Sequence, residues 1–220
     1  MGSELDLMRD YPKSKNRLQK RPEISDLDRK IARQFSKDYF DGDRRFGYGG
    51  YNYHEKYWLK TVVNFITHYN LKSDANILDV GCGKGFMLKD FKSLLPKANL
   101  TGLDISSYAI EKAEPEVRNL LIQGNANELP FPDQSFDLVI SINTIHNLDK
   151  QNCLRALSEI ERVSNGNSFI MVDGWENEHD RVDLNSWVLT AQTVLQVEEW
   201  EKLFKLAGYS GDYQFWTVNS

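Results

Sequence analysis

Cysteine is scarce in this sequence. Only Cys82 and Cys153 occur in 220 residues, and their contexts are unrelated. That excludes a disulfide framework or a thiolate zinc set, and it fits a reducing, cytoplasmic setting. No apolar run is long enough to span a bilayer, so no membrane partner is expected. The opening MGSELDLMRD lacks the apolar core of a secretory signal. Asp6 stands where a myristoylation pattern wants Ser or Thr. An excess of basic charge is also missing. Against 27 Lys and Arg stand 32 Asp and Glu, a net charge of −5. A general nucleic-acid binder carries the opposite balance, so no nucleic-acid partner is expected. The bases that do cluster, among them Arg9, Lys13, Lys15, Arg17, Lys20 and Arg21, mark residues 1–22 as a basic flexible arm. Metal-ligand spacing is absent too. His179, Asp180 and Asp183 read as a solvated helix start, where acids suit the N-terminal dipole.

What the chain does have is periodicity. Ile24, Leu27, Ile31, Phe35 and Tyr39 recur at helical spacing, with Ser25 or Asp26 as the cap. A glycine- and aromatic-rich loop, DGDRRFGYGGYNYH, follows. A second helix is expected from Glu55 to Tyr69. Residues 23–70 therefore read as N-terminal helices with a lid loop, and residues 71–220 as the core. In the core, short apolar runs alternate with helical patterns. NILDV, NLTGLDI, NLLIQG, FDLVISI, SFIMVDG and YQFWTV are the strands. FMLKDFKSLL, SYAIEKAE, CLRALSEIERV, LNSWVLTAQTVL and VEEWEKLFKLAGY are the helices. Such alternation predicts an α/β fold, a mostly parallel sheet between two helix layers. Ligands of such sheets sit at the carboxyl ends of the strands, near the switch in strand order.

The first strand runs into Gly81, Gly83 and Gly85. Phe86 replaces the third glycine of the dinucleotide fingerprint, and Gly85 follows Lys84 where a phosphate loop needs Ser or Thr. Neither phosphate-binding pattern is met, yet the glycines let a ligand approach the backbone. Asp104 ends the second strand, where an acid can accept both hydroxyls of a ribose.

ILDVGCGKG, LTGLDIS, GNANELPFPDQSFDLVIS and INTIHNL, in that order and spacing, resemble the motifs of class I S-adenosylmethionine (SAM)-dependent methyltransferases, closest to the small-molecule subgroup. The resemblance covers about residues 55–210. It implies a Rossmann-like three-layer α/β/α sandwich and SAM as cofactor, with S-adenosylhomocysteine (SAH) as product. Matched position by position, it places Asp79, Gly81, Cys82 and Gly83 at the methionine part and Asp104 at the ribose. Ile105 falls against adenine, with Asn125 and Ala126 beside its amino group. The family often has an acid where Asn125 stands, but an amide oxygen accepts the same bond. Ser141, Ile142 and Asn143 fall along the sulfonium.

The acceptor side is less constrained. His146, just past the fourth strand, is either a general base or a packing histidine. Arg44 and Arg45 have the chemistry to grip an anion. Tyr48, Tyr51, Tyr53 and His54 form the expected roof of the lid, with Trp175 and its neighbours Asp173 and Glu176 facing the same opening. After the helix at 197–207 the sequence has room for one good strand where the family has two. A homodimer completing that edge is one expectation. The expected activity is methyl transfer to O or N of a small polar metabolite, anionic ones included. A protein or RNA methyltransferase and a non-catalytic SAM-binding subunit are the alternatives.

Overall fold

The computed structural model describes residues 2–12 and 23–217. Three helices come first: α1 (Asp26–Ala32), α2 (Lys37–Asp41) and α3 (Glu55–His68). The core then runs β1 (Asn76–Val80), α4 (Phe86–Leu94), β2 (Asn99–Asp104), α5 (Ser107–Glu111), β3 (Leu121–Gln123) and β4 (Leu138–Ile142). It continues with α6 (Lys150–Val163), β5 (Ser168–Trp175), α7 (Glu178–Trp187), β6 (Leu195–Gln196), α8 (Val197–Ala207) and β7 (Asp212–Trp216). The strand order is β3-β2-β1-β4-β5, and both β6 and β7 pair with β5. All six ladders between these strands are parallel. Every carboxyl end therefore opens on one side, and the order reverses at β1.

Strand periodicity explains the three layers. Side chains of a strand alternate between faces. Leu78, Val80, Val139, Ile170 and Val172 go to one face, where α6 and α8 bring Leu157, Ile160, Trp200 and Phe204. Ile77, Leu138, Ile140, Phe169 and Met171 go to the other, against Val62 and Phe65 of α3 and Leu88 and Phe91 of α4. β1, β4 and β5 are buried on both faces, which is why they read as unbroken apolar runs. The fold is the expected Rossmann-like sandwich.

Three expectations are corrected. The single helix expected from Glu23 is two. Phe35 has φ 48°, outside the helical region. Ser36 opens α2 by accepting from the Asp38 amide. Leu27, a member of the predicted stripe, is 65% exposed. Second, the helix expected from Leu184 to Leu195 stops at Trp187. Beyond it, Arg33 donates to the carbonyls of Thr190 and Ala191, and the amides of Gln192 and Thr193 donate to the His146 carbonyl. Long-range partners take the backbone groups a helix would have used.

Third, residues 2–12 are not a mobile arm. Leu7 and Met8 are buried in the core. Ser3 to Leu5 lie parallel along β7: the Leu5 amide donates to Tyr213 O at 2.9 Å, and the Tyr213 amide to Ser3 O at 3.1 Å. The chain itself covers the edge that gave the homodimer its rationale. Lys13 to Arg21 lie outside the described residues. Among the described residues, no helix is long and apolar enough to cross a membrane.

Candidate active site

The turn after β1 is built by glycines in the left-handed region. Gly81, Gly83 and Gly85 have φ of 85°, 55° and 74°. The amides of Gly81 and Cys82 donate to Leu103 O, which ties the turn to the end of β2. The Gly83 amide donates to Asp104 Oδ2 at 2.7 Å, and the Ser106 amide to Asp104 Oδ1 at 2.8 Å. Asp104 is thus fixed against the glycine turn by the two loops it lies between.

Above these strand ends lies a cavity of about 780 Å³. The predicted cofactor residues Asp79, Gly81, Cys82, Gly83, Asp104, Ile105, Asn125, Ala126 and Asn143 all line it. His146, Arg44, Tyr48 and Tyr51 line it too, as does Ile142, whereas Ser141 is buried behind and donates to Val80 O. Ile105 is 50% exposed, an apolar side chain at the rim. Burial, and then the neighbouring Asp104, push the Asp79 carboxyl up to about 8, and no hydrogen bond offsets them. Burial also raises Asp104, against the pull of the Ser106 and Gly83 amides. Burial first, then the two aspartates, push the Cys82 thiol well above its usual range, so it is no nucleophile.

The loop expected to be a lid is joined to this turn through Lys84. Its buried ammonium donates to both carboxylate oxygens of Asp41, at 2.8 and 2.7 Å, and to Tyr51 O at 2.7 Å. The Tyr51 amide and the Tyr108 hydroxyl complete the shell of Asp41. Burial works against the Asp41 charge, but the bonds from Lys84, Tyr51 and Tyr108 outweigh it and hold the carboxyl below its ordinary value. Tyr48 stacks on Tyr51 with centroids 4.2 Å apart, and Tyr51 packs on Phe86 at 4.6 Å. Lys84→Met is expected to cost about 2 kcal/mol, a buried-pair loss discounted because Asp41 keeps some exposure. Hydrogen exchange would read it as faster opening of residues 41–51, with the core strands unchanged. Equal acceleration throughout would contradict a local clasp.

Five of the residues expected at the acceptor, Arg45, Tyr53, His54, Trp175 and Glu176, are not among those lining the cavity. Arg45 pairs with Asp28 at 3.4 Å and lies over the Phe46 ring, because α1 offers it a carboxylate. Tyr53 donates to Asp90 at 2.5 Å with Lys89 over its ring. His54 caps α3, its Nδ1 accepting from the Lys56 amide. Trp175 ends β5, where it pairs with Gln196. Arg44 does line the cavity but donates to Tyr48 O at 2.6 Å. The expected arginine grip is not assembled. His179 instead pairs with Asp183 one helical turn on, at 3.5 Å.

His146 lines the cavity and is buried, 4% exposed. Its Nδ1 accepts from the Asp173 amide at 2.9 Å. An amide only donates, so the ring's free electron pair is spent there and the proton of the neutral ring sits on Nε2. In that tautomer His146 turns a donor toward the cavity, with the Asp173 carboxylate 3.7 Å from its Nδ1, an arrangement that suits the packing reading better than the general-base one.

The residues missed are Lys84, Asp41 and a second wall. Glu4, Asp6, Met8 and Tyr11 line the cavity from the N-terminal segment, joined by Trp58, Trp187, Gln214 and Trp216. The apolar spacing of Leu5, Leu7 and Met8 is the one signal of that wall.

Residues 78–172 match the methyltransferase domain family. That stretch, a little under half of the chain, is similar to methyltransferase domains. The chain is 32% identical over 133 residues to a tRNA (carboxymethyluridine(34)-5-O)-methyltransferase of Arabidopsis thaliana, covering 60% of this chain and 31% of that protein. It is 35% identical over 107 residues to a demethylmenaquinone methyltransferase of Thermotoga maritima, covering 48% and 44%. The match therefore spans less than half of either relative. A SAM-dependent methyltransferase structure from Methanosarcina mazei superposes with a TM-score of 0.52 at 23% identity, covering 64% of this chain and 82% of that one. That likeness concerns the fold.

Proposed function

We propose that this chain moves a methyl group from SAM to a small-molecule acceptor. The observation that carries the reading is the Asp104 clasp. Each of its oxygens accepts one amide hydrogen and keeps a lone pair for a ribose hydroxyl. The glycine turn fits the same ligand, since side chains there would fill the approach. In this reading Asp79, Gly81, Cys82 and Gly83 hold the methionine part. Ile105 packs on adenine, Asn125 and Ala126 flank its amino group, and Asn143 lies near the sulfur. Asn143 has φ 52°, a backbone turn that redirects the chain at the end of β4.

When bound, SAM supplies a methyl already activated on a positively charged sulfur. The protein's task is then to position the acceptor and exclude water. Tyr48 and Tyr51 shield the opening from the lid. His146 offers its Nε2 hydrogen as an orienting donor.

A small acceptor is favoured over RNA by charge. Even without the buried Asp79, whose carboxyl is pushed up to about 8, the cavity is lined by four acids against two arginines, and the chain carries −5 overall. A phosphate polymer is repelled by that field. The test is incubation with methyl-labelled SAM and, separately, a small-metabolite extract or total RNA. Label is expected in the small-metabolite fraction. Label in RNA alone overturns the acceptor class, and bound SAM with no labelled product in either points to a non-catalytic subunit.

A further inference from the structure

One half of the cavity lies over the carboxyl ends of β5 and β7, walled by the N-terminal segment. Its surfaces are aromatic. Tyr11 meets Trp58 edge-on at 5.0 Å, and Trp187 lies 6.2 Å from Trp216. Its carboxylates are Glu4, Asp6 and Asp173. The arginines that reach the cavity are spent on backbone carbonyls: Arg33 on Thr190 and Ala191, Arg44 on Tyr48.

Two acceptor atoms here lack partners. The side-chain oxygens of Asn147 and Gln214 are buried and unbonded, and both residues line the cavity. Their orientations are fixed from the other end. Gln214 Nε2 donates to Asp6 Oδ1 at 2.8 Å, and Asn147 Nδ2 to Asn143 O at 3.1 Å. Both partners only accept, so each amide oxygen is turned away from them, and both oxygens are closed off from the open space of the cavity. A buried acceptor without a donor costs about 1–3 kcal/mol. The aromatic faces and the carboxylates together complement a cation and repel an anion.

We propose that the methyl acceptor is an amine attached to an aromatic or other flat apolar body, recognised as its ammonium form by Glu4, Asp6 and the surrounding rings. This rests on the methyltransferase reading of the same cavity. It also fits His146, which has no electron pair to take a hydroxyl proton, whereas a neutral amine attacks without a base. The ammonium first releases one proton to water. The nitrogen lone pair then forms the N–C bond, the S–C bond breaks with its electrons left on sulfur as a neutral thioether, and the resulting methylammonium carries the positive charge away.

The test is calorimetric, with phenethylamine, phenethyl alcohol and phenylacetate titrated into the protein with and without saturating SAH. Phenethylamine is expected to bind about tenfold tighter than the alcohol, in the range of a desolvated cation–π contact with its hydrogen bonds. Phenylacetate is expected to bind weakest. Asp6→Asn and Glu4→Gln should each weaken the amine about fivefold, leaving the alcohol and SAH unchanged. Binding of the alcohol or the acid as tight as the amine, or of none of the three, overturns the assignment. Failure of SAH itself to bind strikes the methyltransferase reading instead, and the amine preference is then read from the titrations without SAH.

Discussion

Replacing Asp79 with asparagine is expected to weaken SAM binding by about a hundredfold or more, and yet to stabilise the unliganded protein at alkaline pH. The two effects have one cause. The Asp79 carboxyl is buried beside Asp104 and pushed up to about 8 from its usual 3.8. A folded-state value above the unfolded one stabilises the fold below the unfolded value, and that contribution is lost as pH rises through the folded value. The unliganded protein should therefore lose stability between about pH 4 and pH 8. The asparagine variant has no charge to bury at this position and should flatten that slope. A bound sulfonium or ammonium changes the sign, because it makes the ionised carboxylate the preferred form. Removing one partner of such a buried pair costs about 3 kcal/mol or more, hence the hundredfold. Calorimetry with SAM and thermal melts across pH read the two halves separately. Unaltered SAM affinity in Asp79→Asn would remove Asp79 from the cofactor site. A lower alkaline melting temperature would contradict the buried-charge argument.

Gly81→Ala is expected to be the most damaging single methyl in the site, at about 3 kcal/mol or more. Gly81 has φ 85°, and a Cβ there would stand 2.0 Å from Thr144 Oγ1 and 2.4 Å from its methyl. The backbone strain can be separated from the collision. Gly208, the C-cap of α8, has φ 70°, and a Cβ there would meet nothing within 4 Å. Gly208→Ala should cost about 1 kcal/mol, the conformational part alone. Urea unfolding of both variants gives the difference. Equal midpoints would show that the β4 loop yields freely to the glycine turn and that the two are not locked together.

The strands and the meeting of the glycine turn with Asp104 were legible because their signals are local. β1, β4 and β5 are short apolar runs buried on both faces, and the glycine turn and Asp104 sit at fixed distances from them. The acceptor end was not legible, because its contacts are distant in sequence. Arg45 looked like an anion ligand until Asp28 came beside it. Lys84 looked like a failed phosphate-loop lysine, and only the fold brings Asp41, 43 positions earlier, against its ammonium. Tyr53 and His54 were grouped with Tyr48 and Tyr51 by proximity in the chain, but α3 begins at Glu55 and turns them away from the cavity. The break at Phe35 is of the same kind. Its carbonyl is held by the Ser106 hydroxyl of the β2–α5 turn, a partner that no helical pattern reveals.

The strip formed by Ser3 to Leu5 along β7 also has a bearing on the order of assembly. The Ser3 amide is bonded to Asp212, 209 residues away. At about 5–20 residues per second of synthesis, the first residues wait roughly ten to forty seconds for that strand. The glycine turn, the Asp104 clasp and the Lys84 tether all lie earlier in the chain. On the ribosome the glycine turn and the Asp104 clasp can thus take shape before the strip along β7, which is among the last contacts to be made.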